Sequence, residues 1–169
     1  MSGDETMDDP QREVFYAFER AARVLFERPD VPALSIADCR SYVERAWVYL
    51  AQRPQYPVAF ITQHWDGGEG GSCTLIDLPD EAGKLLRYFV IGLSPGRRRP
   101  WCALHEAAHA LYHADGHGPI FGRTCVELWV EVGGWPRVEL EALATRYDVE
   151  LAVPVGLTGG LGGMTCVAR

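Results

Sequence analysis

Lysine is almost missing from this chain: Lys84 stands alone among 16 basic residues, and arginine supplies the rest. The basic residues are outnumbered by 23 acidic ones, leaving a formal net charge of −7. A broad nucleic-acid-binding face needs clustered Lys and Arg to displace counterions from phosphates, so this balance argues against one. Long apolar runs are also missing. None approaches the roughly 20 residues that cross a bilayer, and the acidic start over residues 1–10 is unlike a secretory leader. The expectation is a cytoplasmic protein with no membrane partner. Cys-x-x-Cys pairs are absent, and the five cysteines (Cys39, Cys73, Cys102, Cys125 and Cys166) are odd in number. That excludes a disulfide framework and a zinc ribbon, and most of the thiols read as small buried hydrophobes. The arginine bias, with abundant Ala, Gly and Val, suggests a GC-rich genome.

With 169 residues, 47% of them hydrophobic, the chain suits one domain with one core. Residues 1–9 read as a mobile acidic tail, 10–155 as the domain, and 156–169 as a glycine-rich tail expected to be disordered. Residues 10–28 place Val14, Phe15, Phe18, Ala22 and Leu25 at helical spacing. Ser35 with Asp38 resembles a capping box opening a helix to about residue 51, buried through Ile36, Cys39, Val43, Trp47 and Leu50. Strands are expected at 58–64, 73–78 and 87–93, the first two joined by a glycine-rich hairpin loop at 66–72. His64, at a strand end, reads as a surface residue. Helices follow at 101–114, 119–132 and 138–147, with Phe121, Cys125, Leu128 and Trp129 packing inward. The predicted class is α+β: a small three-stranded sheet packed on helices, with the 101–114 helix central.

What is abundant is local. Four of the five histidines fall between His105 and His117, in a run containing His105-Glu106-Ala-Ala-His109. On a helix of about 3.6 residues per turn, His105 and His109 sit one turn apart, with about 40° between them around the axis, so both rings can reach one zinc ion. Glu106 falls beside the metal, placed to take a proton from water there. The context agrees: Pro100 suits the first turn of a helix, and Trp101, Leu104, Ala108 and Leu111 form an apolar stripe beside the two histidines. Asp115-Gly116 ends the helix, and His117 returns as the favoured third ligand. His113 competes for that place but lies about 12 Å along the axis from His105; Glu127 or Glu131 of the next helix could also supply the ligand. Tyr112 and His113 are accessory candidates for steadying an oxyanion, provided either turns inward. Cys102, three residues before His105, could lie near the metal, and Cys166 could cap it as a thiolate. Arg97-Arg98-Arg99 reads either as a solvated loop or as a contact for an acidic substrate or a phosphate.

His105-Glu106-x-x-His109 followed by His117-Gly118-Pro119-Ile120-Phe121 resembles the SprT-like zincins, whose active helix is followed by a His-Gly-Pro-x-Phe stretch carrying the third ligand. This likeness covers residues 101–131. A looser one, over residues near 9 to 150, is to small actinobacterial metallohydrolases, with Asp9-Pro10-Gln11-Arg12-Glu13-Val14-Phe15-Tyr16 as its N-terminal part. The resemblance implies a compact zincin-like fold, one Zn2+ per chain on His105, His109 and His117, and general-base duty for Glu106. The chain departs from that family in lacking a Cys-x-x-Cys ribbon and basic extensions, so the substrate does not carry over. The resulting expectation is a zinc metallopeptidase acting on a peptide or protein, which could add as a strand to 87–93 if that strand is a sheet edge near the cleft. Two rival expectations are a non-catalytic zinc-stabilised binding module and a protease acting on DNA-associated proteins. The sequence leaves the oligomeric state open.

Overall fold

The computed structural model describes residues 9, 11–28, 30, 32–61 and 71–153. His64, Cys166, residues 1–8, most of the hairpin loop and the glycine-rich C-terminal segment lie outside the described residues. Five α-helices and three strands follow in the order α1 (Arg12–Phe26), α2 (Ile36–Tyr49), β1 (Val58–Ile61), β2 (Gly71–Pro79), β3 (Leu85–Leu93), α3 (Pro100–Tyr112), α4 (Pro119–Glu131) and α5 (Arg137–Arg146). The class is α+β, as the hydrophobic periodicities predict.

The local signals act as chemistry requires. Ser35 Oγ accepts from the Asp38 N–H at 3.1 Å while the Asp38 carboxylate accepts from the Ser35 N–H at 3.2 Å, a reciprocal capping box that opens α2. Pro100 and Pro119 stand in the first turns of α3 and α4, where a missing N–H costs nothing. The predicted helix to residue 114 closes earlier. α3 ends at Tyr112 and tightens into a 3-10 turn over His113–Asp115, after which Gly116 adopts φ +58°. On α1 the buried face is Phe15, Phe18, Glu19 and Ala22, whereas Val14 and Leu25, expected inside, are exposed. The helix is rotated so that a carboxylate, Glu19, enters the interior.

The sheet order is β1-β3-β2, with β1 parallel and β2 antiparallel to β3. β3 is therefore the central strand, bonded on both sides, and strand addition at its edge is ruled out. Its apolar half, Phe89–Leu93, is fully buried, as a strand covered on both sides must be. β2 is an edge, and its first residues, Gly71 to Cys73, pair with Leu93 to Ile91.

α3 packs against α2, α4, β2 and β3. Nine of its residues are buried, including His105 and Glu106. Two indoles hold it from opposite sides. Trp47 of α2 donates to the Ala107 carbonyl (3.3 Å) and Trp129 of α4 donates to the Trp101 carbonyl (3.0 Å). Such buried, satisfied donors fix a helix in both rotation and translation more tightly than apolar contact alone. The side chains that α3 presents are thus held in one orientation.

Candidate metal centre

His105 and His109 project from the same face of α3, with their Nε2 atoms 3.1 Å apart. His117 arrives from the turn after the 3-10 segment. Its ring centroid lies 4.8 Å from that of His109 and 5.6 Å from that of His105. One ring nitrogen from each of the three falls within 4.8 Å of the others, so the three could hold a metal ion. A tetrahedral site with metal–nitrogen bonds of about 2.05 Å needs nitrogens about 3.3 Å apart, so the His105–His109 separation is already close to that of a ligating pair.

The donor set fits a metal for a second reason. The outer nitrogens of two rings are occupied by carboxylates: Glu19 Oε2 lies 2.8 Å from His105 Nδ1, and Asp9 Oδ2 lies 2.6 Å from His117 Nδ1. The first contact is close but off the angle of a good hydrogen bond. Carboxylates in that position select the tautomer that turns Nε2 inward and raise its basicity. His117 Nε2 is then buried without a hydrogen-bond partner, a costly arrangement unless a cation completes it. An all-imidazole set suits Zn2+, and also Cu2+, Ni2+ or Fe2+.

The His117 turn is held from the N-terminal side. The Asp9 carboxylate accepts from the His117 N–H at 3.2 Å, and Gln11 Nε2 donates to the His117 carbonyl at 2.7 Å. Asp9, expected as the end of a mobile tail, is instead part of the centre. Asp115 accepts from the Phe121 N–H at 2.8 Å, tying the turn to the start of α4. Phe15 and Phe121 pack against the imidazoles, Phe121 stacking on His109 at 4.1 Å.

Glu106 lines the same cleft as the three histidines, a space of about 350 Å³ also bounded by Tyr16 and by Gly71, Ser72 and Cys73 of β2. Gly71 leaves room there for two side chains. A Cβ at that position would stand 2.5 Å from Glu106 Oε1 and 2.6 Å from Cys102 Sγ. Tyr16, which the sequence does not single out, meets the His117 ring edge-on at 4.7 Å and stacks on His105 at 6.2 Å. Burial and then the Glu106 charge raise its pKa, so its phenol stays a donor.

The other candidates fall away. Tyr112 points outward and donates to Gln52 Oε1 at 2.8 Å. His113 is exposed at the cleft mouth, 5.7 Å from the Phe89 ring, and stands outside the triad. Glu127 is held by Arg137 in a two-pronged pair (both 2.7 Å), and Glu131 by the same guanidinium at 2.9 Å, so neither serves as a ligand. Cys102 sits beside Glu106 and Gly71 and outside the ligand set; burial and then the Glu106 charge push its thiol well up, away from the thiolate a metal needs.

Burial, with the nearby His105, His117 and His113 charges, lowers the pKa of His109 well below the ordinary 6.5. Burial also lowers His117, against the opposing pull of Asp9. For both, the unfolded chain gains protons from pH 6.5 downward that the folded chain refuses, so stability present above that pH is lost as pH falls. His105 acts oppositely: burial lowers it, but Glu19 and Glu106 together outweigh that and raise it. Its contribution is complete below pH 6.5 and is lost as pH rises through the folded value. Because the His105 contribution no longer changes below pH 6.5, thermal melts of metal-stripped protein will show Tm falling from pH 6.5 to about pH 5 through His109 and His117. A Tm that stays level or rises over this window would mean that burial does not keep His109 and His117 neutral.

Compared with protein-family models, with curated proteins and with solved structures, the chain matches none.

Proposed function

We propose that this chain is a zinc-dependent hydrolase, a peptidase of the SprT-like kind. The observation that carries the reading is the buried Glu106 carboxylate lining one cleft with His105, His109 and His117, two of whose outer nitrogens face carboxylates. Zinc held by the three imidazoles would lower the pKa of a bound water toward about 7 and polarise a carbonyl. Glu106 accepts the proton of the attacking water and passes it to the leaving amine. The Tyr16 hydroxyl, rather than Tyr112 or His113, donates to the substrate carbonyl oxygen as negative charge develops on it. Asp9 holds the His117 imidazole and Glu19 stands behind that of His105. An extended peptide would run along the edge of β2, unpaired among the described residues, whose first residues wall the cleft, rather than along β3.

Elemental analysis with X-ray absorption tests the centre. The expected result is one zinc per chain with three nitrogen neighbours and one oxygen, together with cleavage of a peptide mixture. A fourth protein ligand, such as a sulfur from a cysteine, would make the site closed and structural and overturn the hydrolase reading. Tyr16→Phe separates the roles within the site. It is expected to lower kcat about 100-fold with little change in KM or zinc content; an unchanged kcat would remove Tyr16 from the mechanism.

A further inference from the structure

Beyond Tyr16 and Gly71 the metal-site cleft continues into a second lobe of about 300 Å³. The two lobes share Tyr16, Gly71, His105 and Glu106, so a group in the second lobe lies next to the carboxylate assigned to proton transfer. Three arginines line this lobe. Arg20 and Arg23 come from α1, and Arg97 from the 3-10 turn before α3. Trp101 lies between two of them, its ring centroid 4.1 Å from the Arg23 guanidinium and 5.8 Å from that of Arg97.

The fold divides the Arg97-Arg98-Arg99 triplet. Arg98 donates through Nε to the Leu93 carbonyl at 3.3 Å, and Arg99 pairs with Glu27 at 3.5 Å, so both serve the scaffold. Arg97 lines the lobe instead. Arg23 shares Glu27, at 3.3 Å, but Arg20 and Arg97 have no ion pair among the described residues. The three cations outnumber Glu19 and Glu106, the two carboxylates of the same lobe, and among the described residues Arg97 meets the scaffold through the Trp101 ring rather than an ion pair. An arrangement of that kind gains its compensation from an anion brought by a ligand.

We propose that this arginine-walled lobe binds the carboxylate side chain of an aspartate or glutamate beside the scissile bond, so that the substrates are acidic peptides. Where the bond is cut rests on the peptidase reading above; the binding of the anion does not. Glu19 and Glu106, which line the same lobe, favour a single negative charge over a phosphate carrying about −2.

The test uses the full-length protein with Glu106 kept, because it lines the lobe, and fluorescein-labelled hexapeptides that carry glutamate, glutamine or phosphoserine at each position in turn, followed by stopped flow before any cleavage. Binding is read by anisotropy. Summed over three partly exposed arginines, the glutamate peptide is expected to bind about tenfold tighter than its glutamine counterpart at one position. Adding Arg20→Gln with Arg97→Gln will erase the preference, while the paired lysine substitutions will retain most of it. Equal binding of glutamate and glutamine peptides at every position overturns the proposal, as does a preference that survives the glutamine pair, or tighter binding of phosphoserine. Cleavage of the same peptides by the unsubstituted protein separates the two readings. An acidic preference in binding without cleavage sinks the peptidase and leaves this site; cleavage indifferent to the acidic residue sinks this site and leaves the peptidase.

Discussion

Glu106→Gln will keep its metal and lose about 10³-fold in turnover. Glutamine matches glutamate in size, which matters because Gly71 leaves no spare room: a Cβ there would already stand 2.5 Å from Glu106 Oε1. The substitution therefore removes a proton acceptor without opening a cavity or forcing a shift. In a site where Glu106 relays a proton, kcat and kcat/KM fall together, because the lost interaction belongs to the transition state. Zinc content and melting temperature measured beside the kinetics supply the control. Retained activity with full zinc would remove Glu106 from the proton relay.

His117→Ala attacks the centre from the other side. It deletes the only triad member outside α3 and leaves the Asp9 carboxylate without the ring it faces, while the bond from Gln11 to the backbone carbonyl at 117 is kept. Loss of a carboxylate that supports a ligand costs about 10–100-fold in metal affinity, the loss expected for Asp9→Asn; removing the imidazole itself will exceed that. Titration of zinc against a competing chelator reads the difference directly. The melting temperature of the unsubstituted protein will also drop on metal removal, since an ion that binds only the folded chain adds stability by mass action, whereas His117→Ala will melt at nearly the same temperature with or without zinc. Unchanged affinity in His117→Ala would mean that another residue completes the site.

The two predictions draw on differently legible parts of the sequence. Glu106, His105 and His109 could be read directly, because one helical turn is a local object and its periodicity survives in any fold. His117 was legible for a related reason: Gly116, with its positive φ, breaks the helix and returns the chain within a few residues. The capping box at Ser35 and the prolines opening α3 and α4 belong to the same class. All of these are short-range consequences of backbone sterics and hydrogen bonding.

The residues that were missed come from afar. Asp9, Tyr16 and Glu19 sit about ninety or more positions before the imidazoles they touch, and no spacing rule connects them. Glu19 in particular interrupts the apolar face of α1 and reads from sequence as a solvent residue; it is buried only because His105 waits opposite. Tyr112 and Glu127 failed as candidates because the fold offered them other partners, Gln52 and Arg137. Whether strand 87–93 lies at an edge was open in the sequence, and pairing with β1 and β2 puts it at the centre.

The sequence alone thus determined which atoms could meet one ion from α3 and the turn after it, since a helix of known pitch leaves little freedom over a dozen residues. Only the tertiary structure decided which carboxylates stand behind those imidazoles, which tyrosine faces the cleft, and which member of the arginine triplet lines its second lobe. Those choices depend on how α1 docks across α3, and docking is set by the summed burial of many side chains, which no single local pattern records.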